Sequence, residues 1–157
     1  MQKIELLTEI NAPAERCFQL AISVDVHMAS THGTHEKAIA GITSGQMKLN
    51  DTVTWRAKHF GIYQNLTSKI TAYQYPTYFV DEIAKGAFKK IYHQHLFEQV
   101  GNKTMMKDIF EFEAPLGILG RLFSKLVLKN YMKRFLQIRN ATIKQVAESD
   151  EWKKYCV

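Results

Sequence analysis

Hydrophobic and polar residues alternate along much of the chain before Pro115, with the period of two that is typical of β-strands. Glycine, asparagine, aspartate and proline residues separate the alternating segments and mark the turns between them. The predicted strands cover residues 2–10, 36–41, 52–60, 65–76 and 78–84, and two further segments within residues 91–113. Because short turns join the strands from residue 36 onwards, we expect them to form an antiparallel meander.

A helical spacing of apolar residues replaces this alternation directly after the first strand. Cys17, Phe18 and Ala21 fall on one side of a predicted helix over residues 11–22. Residues 24–32 predict a second short helix, which is followed by a glycine. The sequence therefore places two short helices between the first strand and the meander.

From Pro115 onwards, apolar residues recur with a helical period over about thirty residues. The main apolar stripe, which we expect to face the sheet, consists of Leu119, Phe123, Val127, Tyr131, Phe135, Ile138 and Thr142. Leu122 and Leu126 flank this stripe on one side, and Leu128, Met132, Leu136 and Ile143 flank it on the other. The opposite side carries the basic residues Arg121, Lys125, Lys129 and Lys133. This pattern predicts one long amphipathic helix with a wide apolar face.

The order of elements predicts an α+β fold. We expect a curved antiparallel sheet of six or seven strands, wrapped around the long C-terminal helix, with the two short helices after strand 1. The helix must cover the sheet, because no other predicted element is large enough to do so. A twisted sheet that curls around a single helix leaves a hollow between them, which makes a ligand cavity possible. Residues 1–149 are expected to form this one domain, and residues 150–157 a short C-terminal tail.

Composition narrows the classes of protein. The chain has 157 residues, of which 46% are hydrophobic, so it is suited to one domain with a sizeable core. Cys17 and Cys156 are the only cysteines and form no CxxC motif, which predicts free thiols in a reducing compartment. No apolar run approaches the ~20 residues of a membrane span, and the first residues lack the pattern of a signal peptide. We therefore expect a cytoplasmic protein.

The net charge of +6 is concentrated in the C-terminal helix, since residues 115–147 contain no acidic residue. The aromatic residues of this helix lie on its apolar stripe, so they are not placed to stack on bases. We accordingly expect no nucleic-acid partner. The basic row remains compatible with transient contact with an anionic membrane surface, or with a role in solubility alone.

The residues best suited to a binding or catalytic site, two histidines and an aspartate, lie in the last two predicted strands. A two-residue turn at Gly101 and Asn102 fixes their register, because opposed residue numbers then add up to 203. The predicted pairs are His93 with Phe110, His95 with Asp108, and Phe97 with Met106. All six residues share one face of the sheet, and we expect that face to be the covered one. In such a pair, the Asp108 carboxylate would raise the pKa of His95.

Four further residues are candidates for the same covered face, one of them only for one length of turn. Trp55 and His59 point inward if the polar residues between them face solvent. Arg139, at the edge of the apolar stripe of the helix, needs a carboxylate partner or an anionic ligand. Asp81 joins the two histidines if the turn after Lys85 has a three-residue loop, and points away from them if it has a two-residue loop.

These residues permit several kinds of site. His93, His95 and Asp108 are compatible with a buried polar network, with polar anchors in a ligand cavity, and with acid–base catalysis. Zinc binding would need a third ligand, such as His59. His27, His32 and His35 lie close together in sequence, but a solvated loop explains them better than a metal site does. We therefore assign no catalytic residue, no metal ligand and no cofactor.

Four sequence blocks resemble a known superfamily. They are "NDTVTWRAKHFG" from Asn50, "YPTYFVDEIAKGAFKKIYHQHLF" from Tyr75, "KTMMKDIFEFEAPLGILGRL" from Lys103 and "LKNYMKRFLQIRN" from Leu128. Together with the order of elements, they resemble the START-like, helix-grip fold of the SRPBCC superfamily, and most closely a bacterial branch of single-domain proteins often described as polyketide cyclase-like or cell-division-inhibitor-like. Ala87 departs from this branch, which usually has proline there.

Our first hypothesis is that a mostly apolar cavity between the curved sheet and the long helix binds a small hydrophobic molecule, such as a lipid, a fatty acid or an aromatic metabolite, without catalysis. The alternatives are a cyclase or isomerase that uses the His95–Asp108 pair, and a structural domain without a ligand. The predicted ligand-binding residues are Trp55, His59, His93, His95, Phe97, Met106, Asp108, Phe110 and Arg139.

Overall fold

A computed structural model describes residues 1–115 and 117–157 of the chain. It contains seven strands: β1 (Gln2–Ile10), β2 (Lys37–Gly41), β3 (Thr52–His59), β4 (Ile62–Gln74), β5 (Tyr78–Lys85), β6 (Lys90–Val100) and β7 (Lys103–Glu113). They form one antiparallel sheet in the order β1-β7-β6-β5-β4-β3-β2. The meander from β2 to β7 is confirmed, and β1 completes the sheet by pairing with β7.

The helices lie where the sequence places them. Helices α1 (Ala14–Ala21) and α2 (Val24–Ser30) follow β1, and a 3₁₀ turn (His32–Thr34) leads towards β2. After β7, the chain is helical from α3 (Gly117–Phe123) through a π-helical turn (Ser124–Leu128) to α4 (Lys129–Glu148). The predicted α+β architecture, with two short helices after strand 1 and a long C-terminal helix across a curved sheet, is confirmed.

The register of the last hairpin is also confirmed. Val100 pairs with Lys103 across the turn, and His95 pairs with Asp108 as the two-residue turn requires. The side of Asp81 is now decided: Asp81 pairs with His93 on the neighbouring strand and therefore shares its face. The connection between β5 and β6 runs from Gly86 to Lys89 and is longer than both loops considered from the sequence.

The side of the C-terminal helix that faces the core was predicted wrongly. Leu119 is 75% exposed and Ile138 is 48% exposed, although both belong to the predicted central stripe. The covered side is instead the flank that contains Leu128, Leu136 and Ile143, all of which are at most 7% exposed. The helix has more apolar surface than the sheet can cover, so tertiary packing selects which part is buried.

Two groups of buried residues form the core. The larger group centres on α1, where Phe18 is fully buried and its ring lies edge-on to that of Phe79, with 5.3 Å between centroids. The smaller group lies near the other end of α4 and includes Phe112 and Leu136. The last residues of the chain, predicted as a tail, pack onto the larger group through Trp152 and Tyr155.

Candidate functional site

A cavity of about 630 Å³ lies between the concave face of the sheet and the helices. Its volume is within the range of small-molecule sites, roughly 300–1,000 Å³. Most of its wall is apolar, with Trp55, Leu66 and Ile70 from the sheet and Phe135 and Leu136 from α4. The space exists because β3 to β7 curve away from α4, whereas α1 fills the other end of the sheet with core side chains.

The predicted site residues divide into two sets. Six line the cavity: Trp55, His59, His93, His95, Phe110 and Arg139. Three are not among the described residues that line it: Phe97, Met106 and Asp108. Phe97 and Met106 lie in the larger core group, where Phe97 packs against Phe18, so the structure places them away from the cavity surface. Asp108 is fully buried behind the histidines.

Four polar residues form one end of the cavity wall, and we call them the polar floor: Asp81, His93, His95 and Arg139. His95 Nε2 lies 2.6 Å from Asp81 Oδ2, and His93 Nε2 lies 2.8 Å from Asp108 Oδ1. Both hydrogen bonds are therefore diagonal across the sheet. The direct His95–Asp108 hydrogen bond expected from the register is not the short one, since His95 Nδ1 is 3.4 Å from Asp108 Oδ1.

Asp108 holds the polar floor from behind. Asn140 Nδ2 donates to Asp108 Oδ2 at 2.6 Å, and Arg139 Nη1 lies 3.6 Å from Asp108 Oδ1. Arg139 also donates to the backbone oxygen of Ala21 at 3.1 Å, which ties α4 to the end of α1. The carboxylate partner that the sequence required for Arg139 is thus Asp108.

His93 and Asp108 have pKa values that are both shifted from the ordinary values of their residue types. Burial, together with the neighbouring His95, lowers the pKa of His93 to about 4. Burial alone would raise the pKa of Asp108, but hydrogen bonds from His93 and His95 hold it well below its usual range. The result is a neutral His93 that donates from Nε2 to an ionised Asp108. Its Nδ1 then presents a lone pair.

A second polar group, which we call the side cluster, lies on another part of the wall: His27, Glu36, His59 and Tyr131. His59 Nδ1 is 2.5 Å from the Tyr131 hydroxyl, and His27 Nε2 is 3.1 Å from Glu36 Oε1. Glu36 Oε2 is buried without a hydrogen-bond partner among the described residues. The histidines and charged residues of the cavity wall therefore belong to two groups, and the other polar side chains that line it are uncharged: Ser23, Gln64, Asn65 and Ser68.

Several of these residues were not identified from the sequence. Asp81 was left undecided because its orientation depends on one residue of register. His27 was grouped with His32 and His35 as solvated, although it falls within the predicted second helix. It lies in α2, with its ring 4.3 Å from that of Trp55. Asn140 follows Arg139 in sequence, and nothing marked it as a partner of Asp108.

The polar floor also has the composition of a metal-binding group. Asp81, His93 and His95 each offer one ligand atom, and these atoms lie within 4.8 Å of one another. His59, the third ligand considered from the sequence, is not part of this group.

No protein-family model matches the chain, and no curated protein sequence matches it. Solved structures do match. The protein TTHA0849 from Thermus thermophilus is 17% identical with a TM-score of 0.72, over 94% of this chain and 100% of that one. A START superfamily protein from Mycobacterium smegmatis is 11% identical with a TM-score of 0.68, over 92% and 98% of the two chains.

The match extends to plant proteins. The ginseng major latex-like protein 151 from Panax ginseng is 14% identical with a TM-score of 0.63, over 94% of this chain and 98% of that one. Identities this low speak to the fold and not to the ligand. Sheet order, helix placement and these matches agree that the chain has the START-like, helix-grip fold.

Proposed function

We propose that this protein binds a small hydrophobic molecule, such as a lipid, a fatty acid or an aromatic metabolite, in the cavity between sheet and C-terminal helix. The observation that carries the proposal is a cavity of about 630 Å³ whose wall is mainly apolar, with its histidines and charged residues gathered in the polar floor and the side cluster. A site of this kind gains affinity from apolar contact and orientation from a few polar contacts.

The cavity residues suggest how a ligand lies. Trp55, Phe110 and Phe135 would contact its apolar body. Arg139 and the histidines of the polar floor would face a carboxylate or another acceptor at one end. The side cluster would receive a hydroxyl or amine, because the Tyr131 hydroxyl and the His59 ring offer hydrogen-bonding atoms on this part of the wall. The preferred ligand is therefore an elongated apolar molecule with a polar group at one or both ends.

A cavity-filling variant tests this proposal. Ala57 is 3% exposed and lines the cavity, so Ala57→Trp would place a large ring in the ligand volume. Lys58→Trp is the matched control, since the next residue of β3 is exposed on the opposite face of the sheet. We expect Ala57→Trp to weaken binding of a fluorescent probe such as 1-anilinonaphthalene-8-sulfonate at least tenfold, and Lys58→Trp to leave it unchanged. Equal affinity in both variants would contradict ligand binding in this cavity.

The second experiment identifies the ligand class. Organic extraction of freshly purified protein, followed by mass spectrometry, should recover a hydrophobic compound from the wild type and much less from Ala57→Trp. Probe displacement by fatty acids and by aromatic acids would then rank the candidates. Turnover of a displaced compound would favour the cyclase or isomerase alternative, and release of the unchanged compound favours binding alone.

We further propose that ligand exchange takes place at an anionic membrane surface. Within residues 1–115 and 117–157, no helix is long and apolar enough to cross a membrane. However, α3 and the π-helical turn expose a cluster of large apolar side chains, which we call the rim patch: Ile118, Leu119, Leu122, Phe123, Leu126 and Val127. Two of them, Leu119 and Phe123, also line the cavity.

The rim patch is accompanied by positive charge. Arg121 and Lys125 are exposed on the same helical segment, within one turn of the apolar side chains. Phe60, 53% exposed at the β3–β4 turn, extends the patch because its ring lies 5.8 Å from that of Phe123. Apolar side chains between basic ones suit a surface with anionic headgroups above an apolar layer.

Co-sedimentation with vesicles tests the membrane contact. We expect binding to phosphatidylserine-containing vesicles at low salt, and weak binding to phosphatidylcholine vesicles. Leu122→Asp and Lys125→Glu should each reduce the bound fraction. Lys153→Glu, at an exposed site outside the rim patch, should not. Equal and negligible binding to both kinds of vesicle would refute membrane contact and leave the cavity proposal standing.

A further inference from the structure

We propose that Asp81, His93 and His95 form a binding site for a divalent transition-metal ion at the polar floor of the cavity. Two imidazoles and one carboxylate are ligands that zinc and neighbouring first-row metals accept. The inference is independent of the hydrophobic ligand, because the metal contacts are made by the protein alone.

The three ligand atoms converge on one point. His95 Nε2 lies 2.6 Å from Asp81 Oδ2, and His93 Nδ1 lies 3.8 Å from the same oxygen. Ligands of a tetrahedral ion with bonds of about 2.1 Å stand roughly 3.4 Å apart. Asp81 lines the cavity and its side chain is 24% exposed, so a rotation of its carboxylate away from His95 is the change that metal binding requires.

The arrangement behind the histidines supports metal binding. His93 donates from its far nitrogen, Nε2, to Asp108 at 2.8 Å. The far nitrogen of His95, Nδ1, lies 3.4 Å from the same Asp108 oxygen. Histidines that bind metals commonly donate their other N–H to a carboxylate, which orients the ring and fixes the tautomer. Asn140 in turn fixes Asp108 at 2.6 Å, so the backing carboxylate is itself held in place.

Charge balance points in the same direction. With both imidazoles neutral, as ligation requires, Asp81 and Asp108 carry two negative charges and Arg139 carries one positive charge. In the metal-free protein, the 2.6 Å approach of His95 Nε2 to Asp81 Oδ2 is a hydrogen bond in which Nε2–H donates to the carboxylate. A divalent ion would take the place of this hydrogen bond once the proton moves from Nε2 to Nδ1 of His95, which faces Asp108. It would leave coordination positions open towards the cavity, where a carboxylate, carbonyl or hydroxyl of a bound molecule could reach it.

Metal titration of the full-length protein tests the site. After treatment with EDTA and dialysis, Zn²⁺ should bind with one-to-one stoichiometry and a Kd below about 10 µM by calorimetry. Co²⁺ should produce visible d–d absorption bands. Asp81→Asn and His95→Gln should each weaken Zn²⁺ binding at least 100-fold. Asp108→Asn, a change at a positioning residue, should weaken it about 10–100-fold without changing the stoichiometry.

The control is a double variant, His32→Gln with His35→Gln, which removes two exposed histidines that could bind metal adventitiously. His27→Gln and His59→Gln control for the two histidines of the side cluster, which also lie on the cavity wall. All three variants should retain wild-type affinity. The proposal fails if Zn²⁺ binds more weakly than about 100 µM, if Asp81→Asn binds as the wild type does, or if the double variant abolishes binding. Circular dichroism of each variant establishes that it is folded. Probe binding to the EDTA-treated protein keeps a failure here separate from a failure of the cavity proposal.

Discussion

Removal of the Asp108 carboxylate should destabilise the protein strongly, because this one side chain compensates several buried polar groups. Asp108 is fully buried, and Arg139 beside it is only 5% exposed. In Asp108→Ala, the guanidinium of Arg139 loses its nearest carboxylate, and the Nε2 of His93 and the amide of Asn140 lose their acceptor. Removing one partner of a buried ion pair typically costs about 3–5 kcal/mol.

This loss is large compared with the whole stability of a domain, which is typically ~5–15 kcal/mol. We expect Asp108→Ala to lower the free energy of unfolding by about 3–5 kcal/mol in EDTA-containing buffer. Urea denaturation followed by fluorescence of Trp55 and Trp152 measures it. Asp150→Ala is the control, because its side chain is 93% exposed and its partner is the exposed Lys153. The control should change stability by less than about 0.5 kcal/mol.

A double-mutant cycle isolates the ionic part of this effect. Arg139→Met removes the buried charge while keeping an unbranched apolar side chain of similar length. The double variant, Asp108→Ala with Arg139→Met, should be less destabilised than the sum of the two single variants, by roughly 1–3 kcal/mol. A loss below about 1 kcal/mol in Asp108→Ala, or strict additivity in the cycle, would refute the view that Asp108 compensates Arg139.

Three further predictions concern other parts of the molecule. Burial lowers the pKa of His59, so NMR titration should place this pKa below the ordinary histidine value of about 6.5. As pH falls, the unfolded state therefore binds a proton at His59 before the folded state does. The stability that depends on neutral His59 should be lost as pH falls below about 6.5. Cys17 is fully buried and burial raises its pKa to about 11, so it should react with Ellman's reagent only on unfolding, long after Cys156. Gly41→Ala should lower the melting temperature more than Gly45→Ala. Both glycines have positive φ angles, of 73° and 79°. A Cβ at Gly41 would lie 2.2 Å from a backbone oxygen of β3, whereas a Cβ at Gly45 would meet nothing within 4 Å.

The strands and their pairing were predictable because local signals determined them. The turn at Gly101 and Asn102 fixes the β6–β7 register, and that register places His93 and His95 on the covered face. The choice of hydrogen-bond partners was not predictable, because it depends on a third strand. Only the pairing of Asp81 with His93 brings a second carboxylate within reach of His95 and makes both hydrogen bonds diagonal.

The side of the C-terminal helix that faces the core could not be predicted from the sequence for a different reason. A periodic pattern gives the direction of the apolar face only if the number of residues per turn is the same along the whole helix. The π-helical turn at Ser124–Leu128 has more residues per turn than an α-helix and changes the phase between α3 and α4. Leu136 and Ile143 then face the core, while Leu119 remains exposed at the cavity rim.

The same π-helical turn has a consequence for the rates of ligand entry and exit. Of the seven residues of α3, all of which the structure describes, only Gly120 is buried, whereas α4 is anchored by Leu136, Arg139 and Ile143. Separation of α3 from the cavity therefore exposes little new apolar surface, and the irregular turn is the natural point for the movement. Opening at the rim should be orders of magnitude more frequent than global unfolding, and amide hydrogen exchange should be fast in α3 and slow in α4. The residence time of a bound molecule would then be governed by α3, independently of how tightly the rest of the cavity holds it.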